Sequence, residues 1–178
     1  PDDLLHKLWE GLGYYSRVRN MKKCAQVCVE RYGGELPSSY EELRKLPGIG
    51  PYTAGAIASI AFHERVAAVD GNVLRVFSRI LANEEDVCKE ATKKHYQTYV
   101  GDFLPDSADM GDFNQAVMEL GETICLPNTD PDCKACPLAG ICRGAAAGRA
   151  RELPVRSAAK EKRKETRTVL VLLAADRR

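Results

Sequence analysis

Long apolar runs are missing from this chain, and so is any large excess of charge of one sign. The longest apolar stretches, 54–62 and 169–175, fall far short of the roughly 20 residues that a membrane-spanning helix needs. With 26 Lys and Arg against 25 Asp and Glu, the net charge of +1 by itself indicates no class of partner. Nothing marks the chain for secretion, so its seven cysteines indicate a reducing compartment rather than a disulfide scaffold.

A strand pattern is also absent until the end of the sequence. Apolar residues recur at helical spacing almost throughout, which predicts an all-α protein with helices near 4–12, 18–29, 39–46, 51–61, 71–80, 85–100 and 113–124. Only TVLVLLA, at 168–174, is typical of a strand, and a lone strand needs a sheet to pair with. We therefore expect a helical core at 1–124, a cysteine loop at 125–143, a linker at 144–167 and the start of another domain at 168–178.

The linker region is basic. From Arg143 to Arg167 it carries nine Lys or Arg and three Glu. Such a stretch could follow a phosphate backbone or simply be solvated.

Four cysteines lie close together in CLPNTDPDCKACPLAGIC, separated by seven, two and five residues: Cys125, Cys133, Cys136 and Cys142. Four thiolates so close in sequence can surround one metal centre, either a structural zinc or a [4Fe–4S] cluster. The uneven gaps and the single Cys-x2-Cys pair favour the cluster over zinc. Two disulfides are the remaining alternative.

A glycine turn, LPGIG at 46–50, joins two predicted helices. Gly48 and Gly50 permit a tight turn with unobstructed backbone N–H groups, and Pro51 suits the first turn of the next helix. Such N–H groups at a helix N-terminus form an anion site suited to a DNA phosphate. The motif also joins helices in many proteins without this role.

A carboxylate follows in VDGNV. Asp70 precedes a predicted helix, so it can serve simply as the N-cap. Alternatively, a carboxylate at that place could face a cleft and stabilise a developing oxocarbenium ion.

Together these motifs resemble the MutY-type adenine DNA glycosylases of the helix-hairpin-helix, iron–sulfur superfamily. The resemblance rests on LWEGLGYYSRVRN, LPGIGPYTAGAIASIAF, AAVDGNVLRVFSRI and GDFNQAVMELGETIC, and it covers about residues 1–145. It implies a helix-hairpin-helix glycosylase fold, with the hairpin at about 38–62, and a [4Fe–4S] cofactor on the four cysteines. The C-terminal part resembles the passage into that family's nudix-like domain.

The resemblance also implies roles for site residues. Asp70 matches the catalytic aspartate that stabilises the sugar cation, and Asn72 matches an asparagine that orders this site. Tyr52 falls where lyase relatives of the endonuclease III type carry a Schiff-base lysine. A phenol cannot form that imine, so a monofunctional glycosylase is expected.

DNA contacts are implied for the hairpin and for one aromatic pair. Gly48, Ile49 and Gly50 match backbone contacts to phosphate. Tyr14, with Tyr15 beside it, resembles an aromatic residue inserted next to the damaged guanine, although it could also be one more half-buried aromatic.

Two departures from the family pattern stand out. The first cysteine gap is one residue longer than usual, within a loop that can absorb it. The family's catalytic glutamate lies in an upstream segment that nothing here resembles, and Glu10, Glu41 and Glu64 are poor substitutes. The chain thus looks like an internal fragment of a longer enzyme.

The expected function is hydrolytic removal of adenine mispaired with 8-oxoguanine or guanine in double-stranded DNA. A thymine-mismatch glycosylase of the same superfamily and a non-catalytic DNA-binding fragment are the alternatives. We expect a monomer without membrane association, in the bacterial cytoplasm with the nucleoid, or in the nucleus or mitochondria of a eukaryote.

Overall fold

The computed structural model describes residues 2–106, 109–158 and 165–170, and every regular element within these ranges is helical. The helices are α1 (Asp2–Leu8), α2 (Ser16–Tyr32), α3 (Tyr40–Leu43), α4 (Pro51–Phe62), α5 (Gly71–Leu81), α6 (Glu90–Asp102), α7 (Met110–Thr123) and α8 (Arg143–Ala146), with a 3₁₀ turn at Ala139–Ile141. The all-α prediction is confirmed. No described helix has the length and apolar character to cross a membrane.

Two apolar clusters hold the fold together. One joins α2, α3 and α4 around Leu43, Ala54 and Ala58. The other joins α5, α6 and α7 around Phe77, Tyr96 and neighbouring aliphatic side chains. Because α4 and α5 both pack on α7, this helix connects the two clusters.

Local capping explains where the middle helices begin. The Ser39 hydroxyl accepts a hydrogen bond from the Glu42 N–H at 3.3 Å and so caps α3, although α3 has only one turn. Helix α6 begins at Glu90 rather than at 85. Asn83 and Asp86 accept hydrogen bonds from backbone N–H groups two residues further on, which favours turns over helix in this segment.

The first predicted helix is shorter and less buried than its pattern indicates. Helix α1 ends at Leu8, and the apolar side chains of Leu4, Leu8 and Leu12 are 54%, 73% and 65% exposed. After the helix, the Trp9 indole donates to the Gly13 carbonyl oxygen at 2.9 Å and holds the following loop. Helical spacing therefore identified a shared face but not whether another element covers it.

The predicted linker is partly folded onto the helical core. Its first residues form α8, which packs on α5, and Leu153 is 1% exposed. The Val155 carbonyl oxygen accepts from the Val87 N–H at 3.1 Å, and the Ser157 N–H donates to Asp86 at 3.1 Å. Residues 144–157 of the expected linker therefore pack on the helical core, and the division of the chain into domains stays a prediction.

Two arginines of this segment form ion pairs with acidic side chains. Arg149 pairs with Glu84 and Glu152, and Arg151 pairs with Asp130. These ion pairs weaken the interpretation of this part of the segment as a phosphate-binding strip.

The predicted strand and the domain that it would begin remain expectations. Residues 168–170 adopt no regular structure, and 171–178 lie outside the described residues, as does 159–164 of the linker.

Candidate active site and metal centre

The predicted hairpin turn is present between α3 and α4. The Ile49 N–H donates to the Leu46 carbonyl oxygen at 3.2 Å, and Gly48 has φ of +80°. A Cβ on Gly48 would lie 2.6 Å from the Cβ of Asn20, so both backbone conformation and space require glycine there. Gly50 is the N-cap residue of α4. Because it has no side chain, it offers no side-chain acceptor to the first N–H groups of the helix.

Asp70 caps α5 and keeps its carboxylate partly exposed. One carboxylate oxygen, Oδ1, accepts from the Val73 N–H at 2.8 Å and caps α5. The other, Oδ2, accepts from the Asn72 side-chain amide at 3.1 Å. The residue is half-buried rather than enclosed. Capping therefore orients the carboxylate without removing it from the surface.

A chain of hydrogen bonds runs from Asp70 into the protein. The Asn72 amide group also contacts Glu122 Oε1 at 3.3 Å, and its carbonyl accepts from Arg75 Nη2 at 2.9 Å. Arg75 is buried and donates further to the carbonyl oxygens of Gly121, at 2.6 Å, and Cys125, at 2.7 Å. Burial lowers the pKa of the Arg75 guanidinium. The asparagine is thus held on both sides, as expected for a residue that orders the site.

Tyr52 lies beside this carboxylate. It is the second residue of α4, its side chain is 40% exposed, and its hydroxyl contacts Met118 Sδ at 3.5 Å. Burial, followed by the negative charges of Asp70 and Glu122, raises the pKa of the Tyr52 phenol. Tyr52, on the helix that follows the hairpin, is therefore within electrostatic range of Asp70.

The predicted aromatic pair is exposed on the loop before α2. Tyr14 is 75% exposed, has φ of +47°, and its ring lies under the Arg17 guanidinium at 4.8 Å. The Tyr15 hydroxyl accepts from the Gly11 N–H at 3.4 Å. Although Arg17 covers one face of the Tyr14 ring, most of the residue remains exposed and is available for contact with another molecule.

The alternative carboxylates are indeed poor candidates for a catalytic acid. Glu10 and Glu41 are exposed, and Glu64 Oε2 accepts from the Tyr40 N–H at 2.6 Å, which ties it to the start of α3. Glu122, which the sequence interpretation overlooked, is the additional carboxylate that reaches the Asp70 region.

All four predicted metal ligands line one cavity, together with Arg79 of α5. All are free thiols. Burial, followed by the neighbouring thiols Cys142, Cys125 and Cys136, raises the pKa of the Cys133 thiol. In the described part of the chain, no group of three or more His, Cys, Asp or Glu side chains is arranged to hold a single metal ion.

The longer first gap between cysteines is accommodated at the surface. Residues 127–130 are exposed, and the Asp132 N–H donates to the Ile124 carbonyl oxygen at 3.2 Å, which closes the loop behind Cys125. The additional residue therefore leaves all four cysteines along the same cavity.

Two functional candidates were missed. Arg75 and Arg79 stand four residues apart on α5, away from its stripe of Val73, Val76, Phe77 and Ile80, so helical spacing predicts exposed side chains there, yet both are buried. A buried arginine needs partners, and these partners proved to be the Asp70 network and the cysteine cavity.

Comparison with known proteins agrees with these observations. Residues 31–60 match the family described as "Helix-hairpin-helix motif". The chain is 48% identical to the adenine DNA glycosylase of Mus musculus over 140 residues, and 48% identical to that of Homo sapiens over 141. The adenine DNA glycosylase of Buchnera aphidicola (strain Bp) is 38% identical over 143 residues. The resemblance to adenine DNA glycosylases is confirmed.

These matches cover most of this chain but a minority of each relative. The match to the mouse protein covers 78% of this chain and 27% of the mouse protein. The match to the human protein covers 78% of this chain and 25% of the human protein, and the match to the Buchnera protein covers 80% of this chain and 40% of that protein. The chain therefore spans about a quarter of the length of the mammalian relatives.

Solved structures show the fold. A thermostable thymine-DNA glycosylase matches with a TM-score of 0.70 and 27% identity, over 83% of this chain and 67% of that one. A non-covalent complex of endonuclease III with DNA matches with a TM-score of 0.67 and 26% identity at the same coverage. The chain has the helix-hairpin-helix DNA glycosylase fold.

Proposed function

We propose that this chain carries the DNA-binding hairpin and the catalytic aspartate of a base-excision-repair glycosylase that removes adenine opposite 8-oxoguanine or guanine. The observation that carries the proposal is Asp70, a half-buried carboxylate that caps α5 and whose charge acts on Tyr52, the second residue of the helix after the hairpin. The 48% identity to mammalian adenine DNA glycosylases favours adenine as the base.

The hairpin would bind one phosphate of the DNA backbone. Gly48 and Gly50 present backbone N–H groups without side-chain obstruction, and the N-terminus of α4 adds the positive end of a helix dipole. This contact carries no base information and would set the register of the duplex. Tyr14, exposed on its loop, would stack on a base near the lesion.

Asp70 would act after the base begins to leave. The glycosidic carbon is shielded in the duplex, so the nucleotide has to swing out before it can be attacked. Departure of adenine leaves positive charge on the sugar, and the negative charge of Asp70 would stabilise it. Asn72 and Arg75 keep the carboxylate in place, since Asn72 donates to it and Arg75 holds Asn72.

Protonation of the leaving adenine is not assigned to a residue of this chain. The resemblance attributes it to a glutamate upstream of the matched segment. Water would then complete hydrolysis. The phenol at Tyr52 offers no amine for a Schiff base, so strand cleavage by that route is not expected.

The four cysteines would hold a [4Fe–4S] cluster. The four cysteines line one cavity, and four thiolates are the ligand set that a [4Fe–4S] cluster or a structural zinc takes. When bound, the cluster would join the chain at 125, 133, 136 and 142 through metal–sulfur bonds. Iron and acid-labile sulfide in the purified protein, with a brown colour, would support the cluster, whereas a colourless protein with one zinc would contradict it.

The decisive experiment measures base release from duplexes with adenine opposite 8-oxoguanine and thymine opposite guanine. It uses this chain and a chimera in which the preceding segment of the mouse relative is joined to Asp2. We expect the chimera to release adenine and the chain alone to bind the duplex weakly in a salt-dependent way. Thymine release would support the thymine-mismatch alternative, and binding without release by both proteins would support the non-catalytic one.

We further propose that the protein acts as a monomer and resides with DNA, in the bacterial cytoplasm or in the nucleus or mitochondria of a eukaryote. Sedimentation of the purified chain and localisation of a tagged protein test these two points.

A further inference from the structure

Arg79 is a charged side chain in the protein interior, only 2% exposed. Its Nε donates to the Leu153 carbonyl oxygen at 3.0 Å. Its Nη1 donates to the Leu126 carbonyl oxygen at 3.0 Å and to Cys125 Sγ at 3.1 Å. A guanidinium stays protonated at any pH at which proteins fold, so this site buries a permanent positive charge.

That charge has no carboxylate partner among the residues that the structure describes. The ion pairs of the region belong to other arginines, namely Arg149 with Glu84 and Glu152, and Arg151 with Asp130. Carbonyl dipoles alone compensate a buried cation poorly, because desolvating an ion is costly unless an opposite charge replaces the water. Arg79 instead lines the same cavity as the four cysteines.

Arg79 also organises the segments around this cavity. Its side chain contacts the segment at 125–126 and the segment at Leu153. Its backbone carbonyl lies 3.3 Å from Cys142 Sγ, and a Cβ on Gly144 would lie 2.6 Å from the same oxygen. Arg79 thus touches both the first and the last of the four cysteines.

We infer that Arg79 is the buried counter-charge and positioning residue of the thiolate-bound cluster. The proposal rests on the [4Fe–4S] cofactor proposed above. The thiolate ligands make the cluster site negative, so they supply the opposite charge that Arg79 does not find in a carboxylate. The hydrogen bond from Arg79 to Cys125 Sγ orients that ligand. A cation hydrogen-bonded to a ligand sulfur stabilises the reduced, more negative cluster, so Arg79 raises the reduction potential.

Replacement of Arg79 by Gln tests this inference in the intact chain. The variant removes the charge but retains an amide donor. After anaerobic reconstitution, we expect cluster retention against a chelator to weaken on the order of 10–100-fold, as for other outer-shell partners of metal ligands. We also expect a lower reduction potential by protein-film voltammetry. Arg151→Gln is the matched control. It removes an exposed positive charge that pairs with Asp130 in the cysteine loop, and it should change neither cluster retention nor reduction potential.

Arg79→Lys separates charge from geometry. The ammonium keeps the positive charge but lacks the planar fork that reaches the sulfur and two carbonyl groups. Its potential should stay closer to wild type than that of the Gln variant. In the proton NMR spectrum, the shifted β-proton resonances of Cys125 should move while those of Cys133 and Cys136 stay in place. If the Gln variant does not fold, the NMR comparison of Arg79→Lys with the wild type is sufficient alone. An unchanged Cys125 β-proton shift in Arg79→Lys would overturn the proposal.

Failure of the cofactor and failure of the arginine role give different results. A wild-type chain that takes up no iron or sulfide overturns both. A wild-type chain with the cluster, together with an Arg79→Gln variant of unchanged retention and potential, overturns only the role of Arg79.

Discussion

The charged side chains at the two ends of helix α5 differ in their exposure to solvent. At the N-terminal end, Asp70 is half-buried and caps the helix through its side chain. Towards the C-terminal end, Arg79 is enclosed and faces the cysteine cavity. The comparison shows that one helix keeps a carboxylate partly open to solvent at its start and encloses a guanidinium towards its end.

A single arginine connects these two environments. Arg75 holds Asn72 on the Asp70 side and the Cys125 carbonyl oxygen on the cysteine side. Any change that shifts Cys125 can therefore reach the carboxylate through two side chains, Arg75 and Asn72. The predictions below test how separate the two ends are, from the largest expected effect to the smallest.

Loss of a cysteine ligand should affect the closed end most. Cys136→Ala removes one of four converging thiols, and we expect complete loss of the iron–sulfur absorbance and a lower free energy of unfolding, since metal binding is coupled to folding in such loops. Cys88→Ala is the control, because this exposed cysteine lies outside the cavity. Equal iron content in the two variants would contradict the ligand assignment.

Charge removal at the open end should affect the reaction and not the fold. Asp70→Asn retains an N-cap of similar strength, so the free energy of unfolding should change little. In the chimera, adenine release should slow on the order of 10²–10⁴-fold, because the developing sugar cation loses its counter-charge. Duplex binding should persist.

The control for this change is Asp106→Asn, which neutralises an exposed carboxylate paired with Arg65. It should leave single-turnover release unchanged. Normal turnover by the Asp70 variant would remove this residue from the mechanism.

Two glycines of the hairpin should differ in their tolerance of alanine. Gly48→Ala places a side chain at φ of +80° and against Asn20, so we expect a loss of about 1–2 kcal/mol in unfolding free energy and weaker duplex binding. Gly50→Ala has ordinary φ of −85° and no atom within 4 Å of the new Cβ, so its stability should stay near wild type. Denaturant unfolding measures both, and equal losses would show that the turn geometry is not the cause.

The apolar cluster behind α5 should make stability sensitive to alkaline pH. Burial raises the pKa of the Tyr96 phenol, whose hydroxyl lies 2.7 Å from Ser78 Oγ. The unfolded chain ionises this phenol near pH 10 while the folded protein keeps it neutral, so stability is present below about pH 10 and falls as the pH rises further.

Tyr96→Phe should cost about 1 kcal/mol at neutral pH, because one buried hydrogen bond is lost, and it should flatten the alkaline decline. Ser78 keeps a partner in this variant, since its hydroxyl also donates to the Leu74 carbonyl oxygen at 2.6 Å. Tyr14→Phe, at an exposed position, is the control and should leave the pH profile as it is. An unchanged alkaline decline in Tyr96→Phe would assign that decline to other groups.

Much of the fold could be predicted because its signals are local. The spacing of Val73, Val76 and Phe77 predicted the buried face of α5, and Asp70 caps that helix as its position indicates. The glycine turn appears where LPGIG stands, because the conformation at Gly48 depends on that residue itself. The family resemblance, carried by whole motifs, was also visible in the sequence.

Other features depended on contacts between distant segments. The apolar face of α1 is exposed, and the basic segment after Cys142 folds back as far as Ser157. Periodicity records which residues share a face, but not which element packs against it.

The sequence by itself determined the helices, the hairpin turn, the capping aspartate and the grouping of four thiols, because each depends on residues that are neighbours along the chain. Only the tertiary structure decided that Glu122 reaches Asn72, that Arg75 connects Asp70 to the cysteine loop, and that Arg79 is buried against Cys125. The physical reason is that a side chain's environment is set by the segments packed around it. For these three residues, those segments lie about fifty positions away in the sequence.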